Sequence, residues 1–217
     1  DAARDFTAIS LLAEFPFVIV VTPAVPATTL GEFIAWARAQ RDPVIYASPN
    51  PGSQHHLGME QLAARLGFRT EHVGFRGGGP ATTALLGGQV DFGFDSPAAA
   101  GLLVAAGQLR ALGVTTSNPS PLVPGVPPIR SAGGGLADYH VDSWASVMVQ
   151  AGTPRPIIDR LHAEIRAGFG GPELRERVAG IGMAVPGVSG PDEFAARLRR
   201  DWATFRPVIE QLGIRAE

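Results

Sequence analysis

Short apolar or β-branched runs alternate along the chain with longer stretches whose apolar residues recur at helical spacing. Residues 6–12 and 17–21 read as strands, with Pro16 punctuating between them. Thr29-Leu30-Gly31-Glu32 has capping-box spacing, and Phe33, Ile34 and Ala37 then supply the apolar face of a helix running to Gln40. Residues 44–47 form a short apolar strand and residues 48–52 a loop. Ser53 caps a helix with Leu57, Leu62, Ala63 and Leu66 on one face. The unit then repeats: a strand at 71–74, a Gly77-Gly78-Gly79 loop, and Pro80 in the first turn of a helix that ends at Gly87-Gly88. Residues 90–94 are the next strand, 97–106 the next helix and 110–115 a further strand. Strand–loop–helix at this spacing predicts an α/β fold, with a mostly parallel sheet covered by helices.

After Thr116 the texture changes. Residues 118–135 are rich in proline and glycine and read as an ordered surface connection. A strand follows at 141–149. Thr153-Pro154 predicts a cap and a first-turn proline for a helix carrying Ile157, Ile158, Leu161 and Ile165. Residues 172–181 and 191–212 give two more helices, each opened by proline and by acidic residues that complement the helix dipole.

Composition narrows the chemistry more than the fold. The 217 residues suffice for one large domain or two small lobes, and 45% hydrophobic with 18% charged residues is an ordinary globular balance. The net charge is -2, with no basic stripe, so nucleic acid is not expected as a partner. Cysteine is absent, which excludes disulfides, thiolate catalysis and Cys-ligated zinc. Every basic side chain is arginine, which excludes Schiff-base chemistry and a Walker-type lysine. The longest apolar runs, such as 17–21, are too short to span a bilayer, and no signal-peptide pattern is present. The strand-like stretch starts almost directly after Asp1-Ala2-Ala3-Arg4-Asp5, which raises the expectation of a missing upstream segment.

In a parallel α/β sheet, ligands lie beyond the carboxyl ends of the strands, where loops lead into helix N-termini. Three such loops stand out: Ala47-Ser48-Pro49-Asn50-Pro51-Gly52-Ser53, Phe75-Arg76-Gly77-Gly78-Gly79-Pro80, and Phe94-Asp95-Ser96. The first two join glycine to an immediate helix start, where free N–H groups and the helix dipole favour an anion. Tight turns and caps explain the same residues without a ligand. Gly77, Gly78 and Gly79 lack the G-x-G-x-x-G spacing, so no dinucleotide or other cofactor is expected.

Ser53, His56 and Asp95 resemble a triad in composition only. There is no G-x-S-x-G elbow, and Ser53 is better explained as a cap. His55 and His56 are adjacent, point about 100° apart on a helix and make a poor metal pair. His72, His140 and His162 are isolated and read as surface or packing residues, so no metal site is expected. Arg76 suits bidentate clamping of a carboxylate, although an arginine in a loop is also commonly solvated. Trp36, Trp144 and Trp202 read as packing residues, with Trp144 a candidate cleft wall.

Several stretches together resemble one family. They are Asp5-Phe6-Thr7-Ala8-Ile9-Ser10-Leu11-Leu12, Tyr46-Ala47-Ser48-Pro49 with Gly52-Ser53 and His56-Leu57, and Gly77 to Pro80 followed by Leu85-Leu86-Gly87-Gly88-Gln89-Val90. Phe94-Asp95, Gly107-Gln108-Leu109-Arg110-Ala111-Leu112-Gly113-Val114-Thr115, and Ser143-Trp144 leading to Ala151-Gly152-Thr153-Pro154 complete the set. In order, they resemble the Bug-type (TctC-like) extracytoplasmic receptors of tripartite tricarboxylate transporters.

The resemblance implies a periplasmic, non-enzymatic binding protein of the type II, Venus-flytrap kind, which holds a small organic carboxylate between two lobes. The ligand would be a di- or tricarboxylate, an acidic amino acid or an aromatic acid, delivered to membrane transporter subunits. By position, the receptor loops are residues 48–56, including Ser48, Pro49, Gly52, Ser53, Gln54 and His56, and residues 76–81, with Asp95 and Ser96 on a third. The chain would cross between lobes near 20–23 and 112–115. That makes 23–112 a continuous lobe, with 1–22 and 113–217 building the other.

Family members normally carry a further N-terminal segment, which is expected to be missing here. The first lobe would then be incomplete, and its exposed sheet edges would favour dimerisation or strand exchange. Gly78 stands where the family often has serine and Arg76 where lysine is common. An α/β hydrolase-like enzyme and a ligand sensor feeding a signalling partner are the alternatives.

Overall fold

The computed structural model describes residues 2–184 and 189–214. A single helical turn, α1 (Ala2–Asp5), leads into β1 (Phe6–Pro16) and β2 (Val18–Val21). Then follow α2 (Leu30–Ala39), β3 (Val44–Ser48), α3 (Gln54–Leu66), β4 (Thr70–Gly74), α4 (Gly78–Leu86), β5 (Phe92–Asp95), α5 (Pro97–Ala105) and β6 (Arg110–Val114). After a 3-10 turn at Ile129–Ala132 come β7 (Asp142–Gln150), α6 (Arg155–Phe169), α7 (Pro172–Gly180) and α8 (Pro191–Leu212). The alternation read from the sequence is therefore present, and the class is α/β. Two compact units divide it: Asp1–Phe15 with Ser143–Pro207, and Pro16–Asp142 with Val208–Glu217.

The larger unit is built on a five-stranded sheet of order β4-β3-β5-β2-β6. β3 lies parallel to β4 and β5, whereas β2 runs antiparallel to both β5 and β6. The sheet is thus mixed rather than uniformly parallel, because β2 enters it from the opposite direction before the strand–helix repeat begins. The lobe drawn at 23–112 contains β3, β4 and β5 but not β2, and its border falls within β6.

Local signals explain the helices. Thr29 Oγ1 accepts the Glu32 N–H at 3.2 Å while the Glu32 carboxylate accepts the Thr29 N–H at 3.2 Å, so the capping box forms as its spacing predicts. Ser53 caps α3, and Ser96, with Pro97 behind it, caps α5. Burial then fixes the faces. Val18, Val20, Ala47, Leu85, Ala100 and Val114 form one apolar cluster. Elsewhere in the unit Phe92 meets Phe33 at 5.0 Å and Tyr46 at 5.5 Å between ring centroids. The stretch 118–135 is less superficial than its composition suggests: Val123 and Ile129 are buried, and the 3-10 turn packs against β6.

The smaller unit pairs β1 with β7. The far edge of β1 is met by Ala184, whose backbone exchanges hydrogen bonds of 2.8 and 2.9 Å with Glu14. Ala8, Leu11 and Phe194 form its core, with Trp144, Met148 and Leu198 packed on them. Trp144 meets Phe194 edge-on at 5.4 Å and donates to Asp201 at 3.1 Å. Arg197 pairs with Glu14 at 2.7 Å.

Two expectations fail here. Trp202 is 61% exposed rather than packed, and it lies outside the cluster that buries Phe194 and packs Leu198 on the same helix. Pro154, not Thr153, is the N-cap of α6, and the Thr153 hydroxyl instead donates back to the Gln150 carbonyl at 2.8 Å. No helix among the described residues is long and apolar enough to cross a membrane.

Candidate functional site

β3, β4 and β5 run in one direction, so the three loops that follow them emerge at one edge of the sheet. They are tied together there. The Phe75 N–H donates to the Ser48 carbonyl at 2.8 Å and the Gly77 N–H to the Pro49 carbonyl at 3.0 Å. The Thr82 hydroxyl, in the first turns of α4, donates to Asp95 Oδ2 at 3.0 Å. The loop residues named from the sequence lie in the larger unit, whereas Trp144, the candidate cleft wall, lies in the smaller one.

In the first loop most side chains are already engaged. Ser48 is buried, and its hydroxyl donates to the Asn50 carbonyl at 3.0 Å. Gly52 turns at φ +74, a conformation side chains rarely adopt. Ser53 Oγ accepts the His56 N–H at 3.3 Å, and His56 Nδ1 accepts the Gly52 N–H at 3.0 Å. Pro49 and Gln54 are half-buried.

The second loop differs. Gly77 is the N-cap at φ 105, ψ 170, and offers no side-chain cap. Gly78 and Gly79 are the first two residues of α4 rather than part of the loop, so the helix starts two residues earlier than the glycine run suggests, and Pro80 is its third residue. First-turn N–H groups have no acceptor within the helix, and Pro80 has none to offer, so the open donors are those of Gly78 and Gly79. A Cβ at Gly77, Gly78 or Gly79 would meet nothing within 4 Å. Arg76 is exposed, and among the described residues its guanidinium has no partner. The result is an open, electropositive backbone surface at a helix N-terminus.

The third loop is spent on structure. Asp95 accepts the Ser96 N–H at 2.7 Å, and Ser96 Oγ accepts the Ala99 N–H at 3.2 Å. Burial pushes the Asp95 carboxyl above its ordinary range, against the bonds from Ser96 and Thr82.

No triad assembles from Ser53, His56 and Asp95, since the His56 ring turns its Nδ1 to Gly52 and Asp95 faces Thr82 and Ser96. The residues that sequence reasoning missed lie beneath the first loop. His72, read as isolated, sits 2.6 Å from Ser48 Oγ through Nε2 and stacks on His56 with ring centroids 3.7 Å apart. Tyr46, paired with His72 in the β3–β4 register, donates to Glu60 at 2.7 Å. The shared strand parity of Tyr46, Ser48 and His72 was the available signal. His55 turns away to Phe17, at 4.1 Å between centroids. Among the described residues no group of three or more His, Asp or Glu is placed to hold a metal ion. A cleft of about 460 Å³ lined by Pro43, Glu60, Phe68, Thr70 and Leu212 reaches the amino ends of β3 and β4, away from these loops.

Residues 1–214 match the family model described as "Tripartite tricarboxylate transporter family receptor". The chain is 32% identical over 213 residues to the UPF0065 protein in the tcbD-tcbE intergenic region of Pseudomonas sp. (strain P51), covering 98% of this chain and 63% of that one. It is 28% identical over 210 residues to Protein BugT of Bordetella pertussis, covering 97% and 64%. Among solved structures, R. palustris Rpa4515 with adipate superposes at a TM-score of 0.84 and 28% identity, covering 99% of this chain and 71% of that one. MatC (Rpa3494) from Rhodopseudomonas palustris with bound malate superposes at 0.80 and 28% identity, covering 95% and 70%. The chain thus spans less than two thirds of the length of these curated relatives.

Proposed function

Because the chain belongs to the tripartite tricarboxylate transporter receptor family, we propose that it is a periplasmic solute-binding receptor that captures a small organic carboxylate and presents it to membrane transporter subunits. The observation that carries this reading is the open turn at Gly77–Gly79 beside Arg76, whose guanidinium has no partner among the described residues. A carboxylate there accepts the Gly78 and Gly79 N–H groups at the positive end of α4, and the arginine supplies a second, mobile cation. Such charge-assisted bonds replace the ligand's hydration without any chemical step. The first loop braces the second through Ser48 and Pro49, and Asp95 braces the first turns of α4 through Thr82. The adipate and malate held by the two similar structures support a short-chain acid as ligand. Pairing of copies through exposed strand edges of the smaller unit is part of the same reading.

The test is calorimetry with adipate, malate and adipamide. Binding of one of the acids but not of the uncharged diamide is expected, because only a carboxylate matches the helix N-terminus. Equal affinity for adipate and adipamide, or no heat from any carboxylate, refutes the proposal.

A further inference from the structure

Two imidazoles face each other beneath the first loop. His56, in the opening turn of α3, and His72, on β4, stack at 3.7 Å with their planes 12° apart. Each holds the loop by one bond. Gly52 donates its N–H to His56 Nδ1 at 3.0 Å, and His72 Nε2 lies 2.6 Å from Ser48 Oγ.

These bonds dictate the tautomers. His56 Nδ1 accepts, so the proton of its neutral ring is on Nε2. The Ser48 hydroxyl gives its one proton to the Asn50 carbonyl, so His72 Nε2 is the donor to Ser48. The two rings therefore respond differently to acid. A cationic His72 keeps its bond to Ser48. A cationic His56 carries protons on both nitrogens, and its Nδ1–H then faces the Gly52 N–H, donor against donor.

Among the described residues, the following groups face the pair. Glu60, one turn further along α3, is engaged by the Tyr46 hydroxyl at 2.7 Å and the Thr70 hydroxyl at 3.1 Å. The Tyr46 ring lies 5.1 Å from His72 and 6.2 Å from His56. His55 points to Phe17, and Pro51 and Gly74, both uncharged, lie beside His72. Burial holds His56 below its ordinary value, opposed by the charge on Glu60. Burial and then the neighbouring His56 bring His72 down to about 4.

We propose that His56 is a positioning residue: its neutral ring, stacked on His72, latches Gly52 and the turn into α3, and proton uptake by His56 releases that turn and weakens carboxylate capture. The inference rests on the proposed carboxylate site.

The test uses His56→Asn, whose side-chain oxygen replaces Nδ1 as acceptor and cannot titrate, and His72→Gln, which keeps a donor near Ser48. In the ligand-free protein, NMR follows the Gly52 amide and the His56 ring nitrogens from pH about 7.5 to about 4.5. In the wild type, Gly52 is expected to lose its hydrogen-bonded shift with the same midpoint as His56. Gly52 stays constant in His56→Asn and still follows the His56 ring in His72→Gln. A Gly52 amide indifferent to the ionisation of His56 overturns the latch, and does so even if His56→Asn fails to fold.

In the binding arm, adipate and malate affinities fall by roughly tenfold more in the wild type than in His56→Asn across that range. Protonation of the acids themselves cancels in the comparison. Affinity that instead rises with acid in the wild type alone refutes the coupling to capture. Gly52 and His56 co-titrating without binding of any acid sinks the carboxylate reading and leaves the latch.

Discussion

Gly77 and Gly79 are neighbours in sequence but should answer differently to one methyl group. At Gly77 a Cβ has free space but the backbone stands at φ 105, ψ 170, a region essentially reserved for glycine. Gly77→Ala is therefore expected to cost about 1–3 kcal/mol of stability through strain alone. At Gly79 the backbone is helical and the space is equally open. Gly79→Ala should then gain up to about 1 kcal/mol, since alanine restricts the unfolded chain and favours the helix. Its methyl, however, stands beside the open N–H groups of the first turn and keeps a carboxylate from approaching them. Losing one charge-assisted hydrogen bond is worth about 1.5–3 kcal/mol, or roughly a tenfold to hundredfold rise in Kd. Urea unfolding and calorimetry with adipate or malate separate the two effects. A Gly79→Ala protein that is stabilised and binds like the wild type would show that these glycines serve the turn and not a ligand. A Gly77→Ala protein as stable as the wild type would refute the strain argument.

Other positions give sharper single readouts. Gly101→Ala places a methyl 2.3 Å from the Leu122 carbonyl oxygen, a backbone atom, and is expected to cost more than about 3 kcal/mol in urea unfolding. Unchanged stability would mean that α5 moves freely against that segment. Arg76→Ala should leave stability within about 0.5 kcal/mol, because the side chain is exposed and has no partner among the described residues, while lowering carboxylate affinity. Equal affinity would remove Arg76 from the site. His55 and His72 are each held neutral down to about 4, chiefly by burial, whereas an unfolded histidine protonates near 6.5. The unfolded chain thus binds more protons in that window, so stability is full above about 6.5 and declines as pH falls towards about 4. A flat urea midpoint between pH 7 and 5 would contradict this.

The features legible in the sequence are those whose physics is local. Thr29 and Glu32, Ser53, Ser96 and Pro97 announce helix starts because a cap is satisfied within three residues. The order of the three loops at one sheet edge follows from the strand–helix repeat through β3, β4 and β5. What the chain conceals depends on distant pairing. The antiparallel run of β2 is decided by β5 and β6, more than seventy residues away, and the stacking of His56 on His72 appears only once α3 packs across β3 and β4. These hidden contacts alter the reading of the site itself. Ser48, Ser53, His56, Asp95 and Ser96 were named as ligand groups by position, yet the structure engages each within the loops. A ligand would have to compete with the bonds that already occupy the Ser48 hydroxyl, His56 Nδ1 and the Asp95 carboxylate. The Gly78 and Gly79 N–H groups and the Arg76 guanidinium offer donors without such a cost, as do the hydroxyl protons of Ser53 and Ser96, whose oxygens only accept within the loops. Under the proposed function, the first and third loops chiefly hold the second, and an anion gains most at the Gly78 and Gly79 N–H groups beside Arg76.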